Sequence, residues 1–359
     1  MRTKLLILTI SIDEYRVDIF NLLTVRYDLT VAFTEEKYRT KTFLFNTVYT
    51  PGFKAGPVFL HKTNLHKLAM GYDVVIGEYN VRMLSIMSLA LRKRNYKLIF
   101  WGIGVSASYD KKFDKNKSWD NIRMFFGKKA DALIFYSEYP IKKHICYGLK
   151  PEQLFVANNT MSVSEINLKD QRLKTDFLFI GTLYRQKGLD ILINSYSELL
   201  RLRNNVPHLN IVGSGPMEQE LRKIVDKRGL NENITLLGPV YDKGKLKEIF
   251  ARSIACISPN QAGLSVLTSM GHGVPFVTNK EALTGGEIFN IQDKVNGILY
   301  EGGQEDLTKT LLWILDNRDM IFKMGLNAHE FYINKRRPEQ MVGSISDAVE
   351  FVLEAIELK

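Results

Sequence analysis

The chain has 359 residues, 45% of them hydrophobic and 25% charged, about twice the length of a typical domain and with apolar material for a core in each half. That composition excludes a disordered or fibrous protein, and two distant cysteines, Cys146 and Cys256, exclude a disulfide framework or a clustered-cysteine zinc site and fit a reducing compartment. The formal net charge of +10 sits in the first half: residues 1–168 hold 25 Lys+Arg against 15 Asp+Glu, and the rest holds 24 of each.

The apolar start Leu5 to Leu8 is broken by Thr9 and Ser11, so it reads as a buried first strand and not as a signal peptide. No run approaches the ~18 apolar residues of a membrane-spanning helix. Further strands are predicted at 29–33, 73–77, 97–101 and 132–136, with helices between several of them. Residues 38–65 have weak periodicity and read as loop-rich, and a polar join lies near 162–172.

Beyond the join the chain repeats strand, turn, helix. Phe177 to Ile180 ends at Gly181 and precedes a helical pattern from Leu189 to Leu202. His208 to Val212 leads into Gly213-Ser-Gly-Pro216 and a helix with Leu221 and Ile224 facing inward. Asn233 to Leu237, Ile254 to Ile257 and Phe276 to Thr278 follow, with helices opening near Leu246 and Leu264, and the tail from Gln340 to Leu358 is a helix. Strands alternating with helices imply parallel sheets covered on both faces. The predicted class is therefore α/β, with two Rossmann-like doubly wound domains at 1–168 and 169–338 and a C-terminal helix at 339–359. A ligand is expected in the crevice facing the carboxyl ends of the strands, which directs attention to the loops right after each strand.

The loop after 177–180 is Gly181-Thr-Leu-Tyr-Arg185-Gln-Lys187-Gly188. Two cations on a strand-to-helix turn suit a diphosphate, although a tight turn with two solvated basic residues reads equally well. In the loop Ser258-Pro-Asn260-Gln-Ala-Gly263-Leu264-Ser265, Gly263 lets the backbone approach a ligand and the helix start offers free N–H donors. Asn260 and Ser265 as simple helix caps are the alternative. The turn at Gly213 is explained by backbone geometry alone.

Taken in this order, the Gly181…Lys187-Gly188, Ile211-Val-Gly-Ser-Gly-Pro216, Gly263…Gly273-Val-Pro275 and Gly297-Ile-Leu-Tyr300 segments resemble the GT-B glycosyltransferases. The likeness is to the retaining family-4 nucleotide-sugar transferases, over about residues 175–302. Tyr15-Arg16, Trp101-Gly-Ile-Gly104 and Asn158-Asn159 resemble the acceptor domain of the polysaccharide-forming branch. The resemblance implies that Lys187 and Arg185 grip the donor diphosphate, and that Gly181, Gly213, Gly263, Leu264 and Ser265 line its site. The family's Glu-x7-Glu pair falls on Asn260 and Thr268, so both carboxylates are replaced by groups that still hydrogen-bond. Ile103 stands where related acceptor domains carry a histidine.

The function so implied is transfer of a sugar from a UDP- or GDP-linked donor to a glycan or lipid-linked acceptor in surface polysaccharide synthesis. Asn260, Arg185 and Lys187 are its catalytic candidates. No Asp-x-Asp pair occurs, so no metal and no permanent cofactor is expected, and no nucleic acid partner either. The expected location is the cytoplasm, with the basic region from Lys111 to Lys129 on an anionic inner membrane face. The alternative is a catalytically weakened relative that binds nucleotide or glycan within an assembly. A nucleotide-sugar epimerase would need acid/base side chains, for which Glu78 and Glu138 are the candidates. A dinucleotide dehydrogenase would need a third glycine where Glu218 stands.

Overall fold

The computed structural model describes residues 2–108, 112–115, 117–166 and 174–357. The predicted join at 168/169 lies outside them, as do Tyr109 and Lys111. The chain divides into two compact units, the first formed by Met1–Thr160 with Arg337–Lys359 and the second by Met161–Arg336.

Unit 1 is built on seven parallel strands: β1 (Lys4–Leu8), β2 (Asp28–Phe33), β3 (Asn46–Tyr49), β4 (Val74–Glu78), β5 (Lys97–Gly102), β6 (Ala132–Phe135) and β7 (Leu154–Val156). Their order across the sheet is β7-β6-β5-β4-β1-β2-β3. Successive strand residues face opposite sides, and the core divides accordingly. Leu5 and Ile7 pack with Ile345 and Val349 of the helix Pro338–Glu357, while Leu6 packs with Val75, Ile86 and Phe100 on the other face. A strand covered on both faces must be apolar throughout, which is why β1 reads as an unbroken hydrophobic run.

Unit 2 repeats the plan with six parallel strands: β8 (Asp176–Ile180), β9 (His208–Val212), β10 (Ile234–Gly238), β11 (Ser253–Ile257), β12 (Phe276–Asn279) and β13 (Gly297–Tyr300), in the order β10-β9-β8-β11-β12-β13. Phe177 and Phe179 pack on one face with Leu192 and Tyr196 of the helix Leu189–Leu202, and Leu178 packs on the other with Val266 and Phe276. In each sheet the chain starts in the middle, winds outward one way and then the other. That places a topological switch between β1 and β4 in unit 1 and between β8 and β11 in unit 2, where the loops diverge and leave a crevice.

The stretch read as loop-rich holds more structure than its periodicity suggests. Asn46–Tyr49 joins the main sheet as an edge strand, and Gly52–Ala55 pairs antiparallel with Val58–His61. These strands are half-buried or exposed, so they lack the apolar alternation that marks a strand in sequence. Two helices, Gln304–Asp316 and Arg318–Lys335, close unit 2. Among the described residues no helix is long and apolar enough to cross a membrane.

Candidate functional site

At the switch point of unit 2, the loop leaving β8 and the loop leaving β11 meet. The backbone N–H of Asn260 donates to the carbonyl of Lys187 at 3.2 Å, and the carbonyl of Asn260 accepts from Leu283 N–H at 2.9 Å. Glycines make this approach possible. Gly188 is left-handed at φ +73°, and a Cβ there would stand 2.7 Å from Nδ2 of Asn260. Gly213 at φ +137° is tighter still, since a Cβ would fall 1.9 Å from the carbonyl oxygen of Gly181. Only glycine tolerates these conformations and distances together.

Lys187 is the electrostatic centre of the loop. Its side chain is buried at 7% exposure and its ammonium lies against Gly181, where a Cβ would be 3.2 Å from Nζ. The Tyr184 ring sits beside it, with Nζ 5.6 Å from the ring centroid. Among the described residues no hydrogen bond or ion pair holds that ammonium. Burial lowers its pKa to about 8, against the opposing influence of Cys256 and Glu287, because a charge taken from water without a partner prefers to be neutral.

Arg185 takes a different path. Its guanidinium is 72% exposed and pairs with Glu220 at 3.1 Å, so it is not brought against Lys187. Gly263 has open space where a side chain would be. The helix Ser265–Gly271 begins after Leu264 without a side-chain cap; the Val266 N–H donates to the Gly263 carbonyl at 2.9 Å, and the other N–H groups of the first turn are left for a ligand or water. Ser265 Oγ is buried without a hydrogen-bond partner among the described residues. Thr268 lies one turn in and donates to its own helix at Leu264 C=O, 3.3 Å away. The Tyr184 hydroxyl donates to Gln261 Oε1 at 2.6 Å, a second tie between the two loops.

Glu287 belongs to this cluster and is not among the sequence candidates. Residues Gln261–Ala262 pair with Leu283–Thr284, and the turn that follows brings Glu287 into the interior at 6% exposure. Its Oε2 accepts from Gly285 N–H at 2.9 Å and from the Thr284 hydroxyl at 3.3 Å. The available signal was Gly285-Gly286 directly before a carboxylate on a strand-end loop. Among the described residues no three His, Cys, Asp or Glu side chains gather as a metal cluster.

Residues 164–331 match the family model of glycosyl transferases group 1. An uncharacterized 41.2 kDa protein in the cps region of Klebsiella pneumoniae is 26% identical over 280 residues, 74% of this chain and 73% of that one. The O-antigen chain mannosyltransferase C of Escherichia coli is 28% identical over 171 residues, 46% of this chain but only 42% of that protein. Among solved structures, Anabaena HepE in complex with UDP superposes with a TM-score of 0.75 over 97% of this chain and 99% of that one, at 15% identity, a likeness of fold. The second unit of this chain matches the model of the group 1 glycosyl transferases over nearly its whole length, and the chain as a whole has the GT-B fold seen in glycosyltransferases.

Proposed function

We propose that the protein transfers a sugar from a UDP- or GDP-linked donor to a glycan or lipid-linked acceptor in surface polysaccharide synthesis, with retention of configuration. The observation that carries this reading is the buried, unpaired Lys187 ammonium at the meeting of the two switch-point loops. As the bond between the anomeric carbon and the donor phosphate breaks, charge collects on the departing diphosphate. A preorganised cation in a water-poor loop stabilises that charge without having to reorganise. The uncapped helix start at Leu264 and Ser265, which Gly263 leaves open to a ligand, acts in the same direction. Arg185 leaves Glu220 and joins them when donor is bound, a small expense because exposed ion pairs contribute little.

In the front-side mechanism the acceptor oxygen bonds to the anomeric carbon on the face the phosphate leaves, and its proton passes to the leaving phosphate oxygen. No protein base is then required, which accommodates Asn260 and Thr268 where the family carries glutamates. Asn260, fixed through both its backbone groups, orients the sugar, Thr268 meets the ribose through its hydroxyl lone pairs, and Glu287 supplies a carboxylate close by. No metal takes part in this scheme. Donor consumption in the presence of a chelator, lost in Lys187→Ala, is the direct test. A weakened relative that only binds nucleotide is the second reading, favoured by the missing carboxylates. It predicts UDP or GDP binding with no donor consumed across a broad acceptor panel.

A membrane-facing role for unit 1 is part of the same proposal. What supports it is the helix Asp120–Gly127, which exposes Ile122 and Phe125 beside the exposed Lys128 and Lys129, with Lys129 Nζ 5.3 Å from the Phe125 ring centroid. Apolar side chains flanked by lysines suit the boundary of an anionic leaflet. Arg123 and Lys143 do not contribute to that face, since both are spent on Asp120 at 2.6 Å. Binding to anionic vesicles that weakens with salt and with Phe125→Ser tests it.

A further inference from the structure

Unit 1 has its own switch-point cluster, which the donor chemistry of unit 2 leaves unexplained. Arg16, in the first turn of the helix Glu14–Thr24, is buried at 7% exposure. Its guanidinium lies 4.4 Å from the Trp101 ring centroid and 5.1 Å from that of Tyr136. It donates to the Tyr136 hydroxyl at 2.9 Å and toward the Met341 sulfur at 3.7 Å. Among the described residues no carboxylate comes within 4 Å of it. Two phenols, Tyr136 and Tyr15, a thioether and the more distant charge of Glu78 are weak counterparts for a buried cation with five N–H donors. Beside it, the Trp101 indole N–H is fully buried and has no acceptor among the described residues.

Both side chains line a cavity of about 40 Å³ at the carboxyl ends of β1, β4 and β5, with Glu78 on its wall. Glu78 does not cancel the surplus of donors. Its Oε1 is taken by the Thr9 hydroxyl at 2.9 Å and the Ile10 N–H at 3.0 Å, and burial raises its pKa against the opposing pull of those two bonds and of Arg16. The volume is decisive for the kind of ligand. A space of that size admits one or two water-sized groups and no sugar ring.

We propose that this pocket binds an anionic substituent of the acceptor, a carboxylate or a phosphoryl group, through the Arg16 guanidinium and the Trp101 indole N–H. The excess positive charge of residues 1–168 draws such a ligand toward unit 1. That the anion belongs to an acceptor rests on the transferase reading, whereas the pocket's preference for anions does not.

The test is a ligand-observed NMR titration of the full chain with two matched pairs, glucuronate against glucose and glycerol 3-phosphate against glycerol. The expected result is at least tenfold tighter binding of the charged member of one or both pairs. The pair that responds tells a carboxylate-bearing sugar from a phosphoryl-bearing one. Arg16→Met loses that preference, Trp101→Phe weakens it severalfold, and Glu78→Gln leaves it unchanged or strengthens it, an outcome that a purely structural cluster does not produce. Should Arg16→Met fold poorly by thermal melting, Trp101→Phe and Glu78→Gln carry the test. Equal binding of charged and neutral members, binding of neither anion, or indifference to Arg16→Met and Trp101→Phe each overturns the proposal. UDP titration of the same samples reports on unit 2 separately, so failure of the transferase reading appears there and not in the anion preference.

Discussion

The backbone N–H of Asn260 reaches the carbonyl of Lys187 at 3.2 Å, and the glycine that follows Lys187 has no room for even a methyl group against the Asn260 side chain. The buried cation and the group proposed to orient the sugar are thus held by one backbone contact, and disturbing either loop displaces both.

Gly188→Ala is expected to lower stability by about 1–3 kcal/mol, because it forces a Cβ into a left-handed conformation and to within 2.7 Å of Asn260 Nδ2. Urea unfolding measures the loss, and nucleotide titration should show weaker binding as Asn260 moves. Gly263→Ala is the contrasting case. Nothing lies within 4 Å of its would-be Cβ, so stability should stay within about 0.5 kcal/mol while nucleotide binding weakens.

Lys187 sets a pH dependence with opposite signs for stability and binding. Its pKa falls from 10.5 to about 8 on folding, so between those values the unfolded chain holds the extra proton and stability of the unliganded protein rises with pH. Affinity for UDP runs the other way. It is full below about pH 8 and declines above it as the ammonium discharges. Calorimetric titrations at several pH values, paired with melting curves, separate the two trends.

Glu287→Gln keeps the hydrogen bonds that Oε2 accepts from Gly285 and Thr284 but removes the charge that favours protonation of Lys187. The expected outcome is a break in UDP affinity at lower pH than in the parent protein, and a fall in kcat larger than any rise in KM. An unmoved pH break would dissociate Glu287 from Lys187.

The strand and loop plan of unit 2 is legible in the sequence because most strands there are buried and most run into glycine or proline. The predicted helix from Leu189 to Leu202 and the strand from His208 to Val212 match the observed ends. Edge strands such as Asn46–Tyr49 escape because half of their surface faces solvent and their polar residues break the pattern. Spacing located Lys187 and Asn260 on strand-end loops, but the contact between those loops depends on β8 and β11 being neighbours in the sheet. Arg185 next to Lys187 in sequence gave no hint that it turns outward to Glu220, 35 positions on. The cluster of Arg16, Glu78 and Trp101 is less visible still. Its members come from three segments that only the strand order assembles.

The most direct test of the central claim is titration of UDP and GDP into the parent protein and into Lys187→Met at pH 7. Removing an unpaired buried cation should leave the unliganded protein as stable or more stable, by up to roughly 3 kcal/mol for a pKa displaced this far, while nucleotide affinity falls at least tenfold. Unaltered affinity for both nucleotides, in a variant that melts no earlier than its parent, would contradict the assignment of Lys187 to the donor diphosphate.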